Sequence, residues 1–170
     1  MALAIAANAQ PREVKYWIEP CTRAETGCRS ADPELAQWAM EAWASASNGK
    51  MKVARTSDAQ GARFRFHWVS AREGLYGETR GGDIYVLPQD APGLTREAIV
   101  YLTCLHESGH ALGLAHTAEF ADIMYNFQFG GDIEEYFGRY TRKLSRREDI
   151  RKNSAISEQD RRQLLRVLGE

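Results

Sequence analysis

The residues with the clearest chemical purpose run from His106 to His116, as His106-Glu107-Ser108-Gly109-His110-Ala111-Leu112-Gly113-Leu114-Ala115-His116. On a helix, His106 and His110 project from one face about one turn apart, a spacing that lets both imidazoles reach one metal ion. Glu107 points to a neighbouring direction, so its carboxylate can hold an attacking water without being a ligand. Gly113 adopts φ > 0 without steric penalty, so the helix can stop there and the chain can turn back to bring His116 to the same ion. Three neutral nitrogen donors with one open position describe a catalytic zinc site rather than a structural one. At about 5% per fixed position, the five fixed positions of this string match by accident in about one window in a few million. Three of the four histidines of the chain fall inside it.

The string agrees at every fixed position with H-E-x-x-H-x-x-G-x-x-H, and on it the chain resembles the metzincins. That family also has a Met-turn, whose methionine forms an apolar floor under the imidazoles. Asp122-Ile123-Met124-Tyr125 fits, with Met124 eight residues after His116. The short spacing and the Met-Tyr pair look most like the matrixins, the matrix metalloproteinase group. Astacins and serralysins carry a further tyrosine near zinc two residues after the methionine, where this chain has Asn126. The resemblance is strong over 106–125 and loose over the rest of 14–169. It implies a zincin-like α+β fold, with a twisted mixed sheet of about five strands, one of them an antiparallel edge strand, and three main helices. It also implies one catalytic zinc ion on His106, His110 and His116, with Glu107 as general base and Met124 beneath.

Leu75-Tyr76-Gly77 resembles the matrixin edge strand that pairs with an extended substrate, and Gly81-Gly82-Asp83 the step into the next strand. An open edge beside the metal holds a polypeptide by backbone hydrogen bonds whatever its side chains. An ordinary solvated edge strand accounts for the same residues. Tyr125 and Asn126 are the other candidate substrate contacts. The departures from the matrixin pattern are specific. Histidines bind a second, structural zinc in matrixins, but the matching positions here hold residues such as Gly77 and Tyr85. No structural zinc is expected; calcium is left open and not predicted. Asn126 replaces a proline, and residues 126–155 intervene before Ile156, so an insertion is expected at about 127–155. Arg139, Arg142, Lys143, Arg146, Arg147, Arg151 and Lys152 crowd its second half, as either a solvated helix face or a docking surface for an acidic partner. Glu19-Pro20-Cys21-Thr22 does not match the propeptide cysteine stretch of matrixins, so no cysteine switch is read.

The elements that must position these residues follow from periodicity and caps. Val14–Ile18 favours a strand. Asp32 is a candidate N-cap with Pro33 behind it, and Leu35, Trp38, Ala39, Ala42, Trp43 and Ala46 follow helical spacing to a stop near Asn48-Gly49, with the tryptophans as core anchors. Met51–Thr56 is a second strand. Arg63–Val69 alternates, with Phe64, Phe66 and Trp68 on one face and Arg63, Arg65 and His67 on the wetter one, where His67 is a strand residue rather than a ligand. Gly74–Thr79 and Gly82–Leu87 read as two more strands. Thr95 is placed as the cap of a helix running through Ala98, Ile99, Leu102 and Leu105 into the histidines. Ser157 caps a last helix, with Asp160 in its first turn, Leu164, Leu165 and Leu168 buried, and Gly169 at its end.

At 170 residues the chain is long enough for one domain with a real core, read as 14–170 after an N-terminal segment, 1–13. Lys plus Arg is 22 and Asp plus Glu is 23, so no charge bias points to nucleic acid or an anionic membrane. The longest apolar run, Met1–Ala7, is too short to span a bilayer. Ala7-Asn8-Ala9 before Gln10 fits a secretory cleavage site, and a plain docked or disordered N-terminus fits as well. Cys21 and Cys28 could close a surface disulfide, which needs an oxidising compartment, and a secreted protein is expected. Cys104 is a small buried hydrophobe. These observations converge on a monomeric zinc-dependent endopeptidase acting on extended polypeptide. A metzincin-shaped binding protein with little turnover and a zinc hydrolase of a non-peptide amide are the alternatives.

Overall fold

Val14, Tyr16 and Ile18 of strand β1 (Arg12–Ile18), Phe64, Phe66 and Trp68 of β3 (Phe64–Trp68), and Ile84 and Val86 of β5 (Asp83–Val86) are all buried. Side chains alternate along a strand, so Lys15, Arg65, His67 and Tyr85 face the other way. These positions come from a computed structural model that describes residues 10–169; the signal-like stretch read at 1–9 lies outside them. With β2 (Met51–Arg55) and β4 (Gly77–Arg80), the strands form one sheet in the order β2-β1-β3-β5-β4. The first four are parallel, and β4 runs antiparallel to β5 at the edge.

Helix α1 (Asp32–Ala46) crosses over between β1 and β2, and α2 (Leu94–Leu112) follows β5. The two helices pack on each other and α2 lies against β4 and β5. Purely parallel sheets are covered on both faces and their strands read as continuous apolar runs. Here the strands alternate because α1 and α2 cover a single face. Trp43, fully buried on α1, donates its indole N–H toward Leu105 O (3.0 Å) and Ser108 Oγ (3.1 Å), which fixes α1 to the turn of α2 beside His106.

The expected caps of α1 and α2 are displaced. Asp32 is the first helical residue, and its carboxylate accepts from Arg29 N–H (2.8 Å) and from the Arg96 guanidinium at 2.7 and 2.8 Å. Arg96 also donates to Gly27 O at 2.9 Å. The residue before α2 is Gly93 at φ 56° and ψ −138°, a backbone that an L side chain resists, so Thr95 falls inside the first turn. The Cys21–Cys28 disulfide, with Cα atoms 5.5 Å apart, closes the loop that carries Gly27. Cys104 is buried, and burial pushes its thiol well above the usual range.

The stretch read as an insertion, 127–155, is structured. It holds a short 3-10 turn (Phe127–Phe129), helix α3 (Ile133–Thr141) and a second 3-10 turn (Arg147–Arg151), so α3 adds a fourth helix to the three expected. Asp132 caps α3 by accepting from Glu134 N–H (2.8 Å) and Glu135 N–H (3.2 Å), and Tyr136, Phe137 and Tyr140 face inward. The basic run acts largely within the molecule. Arg147 bonds Glu97 (3.0 Å), Glu34 and Ala31 O (2.7 Å) and lies over the Trp38 ring. Arg151 pairs with Glu41, Arg142 with Glu135, and Arg139 lies over Phe120 and Tyr136. These contacts staple this stretch to α1, to α2 and to itself. Helix α4 (Glu158–Leu168) starts at the Ser157 cap.

On the outer sheet face, Arg65 donates to Asp83 at 2.7 and 3.2 Å, and His67 Nε2 lies 3.0 Å from the same carboxylate. The Arg65 hydrogen bonds hold the Asp83 carboxyl down at about 2. An unfolded aspartate titrates near ~4, so this stabilisation is complete above that pH and is lost as pH falls toward the folded value. Asp83→Asn is expected to flatten the fall of Tm across that window, read by circular dichroism melts; parallel curves for parent and variant would refute the assignment.

Candidate metal centre

His106, Glu107 and His110 occupy the last turns of α2. The helix stops at Gly113, whose φ of 107° suits glycine alone, and Leu114 N–H returns to Gly109 O at 2.9 Å. The reversed chain brings His116 to the other two rings. His110 Nε2 is 3.1 Å from His106 Nε2 and 3.0 Å from His116 Nε2, and His106 and His116 are 3.3 Å apart at the same atoms.

Two of the rings are fixed by carbonyl oxygens. His106 Nδ1–H donates to Ile123 O at 2.6 Å and His110 Nδ1–H to Leu114 O at 3.0 Å. A carbonyl only accepts, so both rings carry their proton on Nδ1 and a lone pair on Nε2. Burial lowers the His106 pKa to about 3, which keeps that ring neutral. Two lone pairs facing across 3.1 Å repel unless a cation lies between them. Tetrahedral zinc with nitrogens at ~2.0–2.1 Å sets neighbouring donors about 3.3–3.4 Å apart, close to the spacing here, so the triad fits that ion.

The Asp122–Tyr125 turn, read from sequence as a Met-turn, closes against this triad through backbone. Thr117 N–H donates to Met124 O (2.8 Å) and Asn126 N–H to Thr117 O (3.0 Å), tying the segment after His116 to the turn. Met124 is fully buried, and a Cβ on Gly109 would lie 2.5 Å from its sulfur and 3.0 Å from Trp43 Cζ2. Glycine inside the motif therefore lets the turn, α2 and α1 meet. Asp160, buried in the first turn of α4, accepts from Ile123 N–H (2.8 Å) and Met124 N–H (3.3 Å), as well as from Ser157 N–H (3.0 Å). Its capping pattern was legible; its grip on the Met-turn was not.

Glu107 is buried, and that burial pushes its carboxyl up to about 7, against the lowering effect of its hydrogen bond from Thr79. The Thr79 hydroxyl lies 2.7 Å from Glu107 Oε2 and 2.8 Å from Glu107 O. Gly77 is bare where β4 meets α2, since a Cβ there would come within 2.6 Å of Glu107 Cγ and 2.8 Å of Thr103 Cγ2. A carboxyl raised by burial and with one face open to a cleft is suited to accepting a proton. Periodicity places Thr79 on β4 but gives no sign of its partner.

A cleft of about 650 Å³ runs past the triad, lined by Leu75, Tyr76, Gly77, Tyr125 and Asn126 among others. The edge strand begins later than expected. Leu75 only bridges to Arg72, Tyr76 O accepts from Leu87 N–H (2.8 Å), and the Tyr76 ring packs on Phe137 at 5.2 Å, so regular pairing starts at Gly77. Tyr136 and Phe137 of α3 complete the wall, a contribution from the insertion that sequence reasoning missed. Its signal was the apolar face of a short helix behind Asp132. His67 sits apart on the outer sheet face, stacked on Tyr85. The grouping of Cys21, Cys28 and Asp32 is committed to the disulfide and to Arg96.

No protein-family model matches the chain, and no curated protein matches it in sequence. Among solved structures it is similar to archaemetzincin from Methanopyrus kandleri, at 14% identity over 98% of this chain and 100% of that one, with a TM-score of 0.54. The chain therefore has a metzincin-like, zincin-type α+β fold, with a five-stranded mixed sheet, one antiparallel pair and four helices among the described residues. His106, His110 and His116 offer three ligand nitrogens within 4.8 Å of one another, a grouping that fits a zinc site. Nothing in that likeness singles out the matrixins.

Proposed function

We propose that the chain is a zinc-dependent endopeptidase, a metzincin whose Met-turn spacing is matrixin-like. The observation that carries this reading is the convergence of His106, His110 and His116 at their Nε2 atoms beside buried Glu107 in an open cleft. His106, His110 and His116 would hold the zinc, which would supply Lewis-acid polarisation of a carbonyl and a water acidified to a pKa of about 7. Glu107 takes the proton of the attacking water and later delivers it to the leaving amine. Thr79 holds the Glu107 carboxylate. Strand β4 lies at the sheet edge, where its backbone can hold an extended polypeptide by added-strand pairing. Tyr76, Phe127, Tyr136 and Phe137 line the cleft with aromatic surface and favour a large apolar side chain next to the scissile bond. The Cys21–Cys28 disulfide supports an extracytoplasmic setting.

Digestion of a broad peptide library by the zinc-loaded chain, followed by mass spectrometry, tests this reading. Internal cuts flanked by large apolar residues, abolished by a chelator, are expected. Release of terminal residues or small amides alone would point to a different hydrolase, and zinc uptake without any cleavage to a binding protein.

A further inference from the structure

Asn126 stands two residues after Met124, between the third histidine and the cleft wall. Its Oδ1 accepts from Gln128 N–H at 2.9 Å and caps the 3-10 turn of Phe127–Phe129. A backbone N–H only donates, so the polarity of the side chain is fixed: the carbonyl end faces Gln128, and the amino end faces His116 Nδ1 at 3.2 Å. An amide nitrogen also only donates. With the amide held this way by Gln128 N–H, His116 Nδ1 can only accept, which assigns the single proton of the neutral ring to Nε2, the atom turned toward His106 and His110. His106 and His110 hold the opposite tautomer, set by Ile123 O and Leu114 O. Two rings are arranged to ligate, and the third is arranged the other way.

For His116 to offer its Nε2 lone pair, the proton must pass to Nδ1 through solvent, with no net change in protonation, and Nδ1–H must then find an acceptor. The amino end of Asn126 cannot serve. Its own Oδ1 can, once the terminal amide turns over, but that oxygen then leaves Gln128 N–H. Resting on the metal reading above, we propose that Asn126 is a positioning residue whose amide is shared between His116 and Gln128. Ligation by His116 and the shape of the turn carrying Phe127 and Gln128 are thereby coupled. Outer partners of ligating histidines commonly change metal affinity by about 10–100-fold, so a shared partner is a strong lever on both.

The test is a titration of the full chain with zinc ion alone. Affinity is read by competition with a chromogenic chelator, and the Gln128 amide is followed by hydrogen exchange in NMR. In the parent, zinc uptake is expected to expose the Gln128 amide to faster exchange. Asn126→Asp supplies a carboxylate that accepts from both Gln128 N–H and His116 Nδ1–H. That variant is expected to bind zinc at least about 10-fold more tightly and to keep the Gln128 amide protected throughout. Asn126→Ala is expected to show fast Gln128 exchange with and without zinc. One bound zinc with an unresponsive Gln128 amide in the parent overturns the coupling, even if the Asp variant binds more tightly, because charge alone would then explain the gain. If the parent takes up no zinc, the metal reading falls and this inference with it.

Discussion

Glu107→Gln is expected to bind one equivalent of zinc and to lose peptide cleavage by at least about 10²–10⁴-fold. Glutamine matches glutamate in shape, so it fits against bare Gly77 and still accepts the Thr79 hydroxyl through its carbonyl oxygen. The histidine ligands are untouched, so metal content measured by elemental analysis should equal that of the parent. What disappears is the capacity to take a proton, because a carboxamide is not a base near neutral pH. The comparison needs kcat/KM on a fluorogenic peptide chosen from the library cuts. A variant within tenfold of the parent would remove Glu107 from the proposed chemistry while leaving the metal site standing.

The second large effect is on stability. The side chains of Arg96 and Asp32 are 2% and 1% exposed, and two hydrogen bonds join them between the starts of α1 and α2. Arg96→Met leaves the Asp32 carboxylate buried with only the Arg29 N–H as partner, and removal of one member of a buried pair costs about 3–5 kcal/mol. At about 2–4 °C per kcal/mol for a chain of this size, Tm should fall by roughly 6–20 °C. Replacing both members, as Asp32→Leu with Arg96→Met, removes the stranded charge and is expected to recover much of that loss. Thermal melts of the three proteins decide the matter. A single variant no less stable than the double would show that the pair is not what joins the two helices.

Local and periodic features of this fold were readable from sequence. The two-residue alternation of Phe64, Phe66 and Trp68 marked a sheet covered on one face, and the Ser157 cap and the Gly113 stop came from residue types with few other uses. The histidine spacing told which rings would meet, since a helix turn and one glycine reversal fix most of their separation. Pairings across the chain were not readable. Thr79 reaches Glu107 over 28 residues, Asp160 reaches Ile123 over 37 and Arg96 reaches Asp32 over 64. Each of these polar residues had an adequate local use as a strand, cap or surface residue, so nothing in its neighbourhood announced the distant partner. Asp32 shows the same effect: its expected capping role was displaced by a longer-range ion pair. The α3 wall was obscured for another reason, because nine residues carry too little periodicity to stand out in a basic stretch.

Trp43 has a practical consequence. Its indole touches the backbone of α2 through Leu105 and shares the space over Gly109 with the Met124 sulfur. A fluorophore is thus wedged behind the histidines, dry and hydrogen-bonded, where a small slide of α2 against the methionine changes both its polar partner and its sulfur neighbour. With Trp17, Trp38 and Trp68 replaced by phenylalanine, its emission offers an optical gauge of that slide from inside the protein, with no label attached.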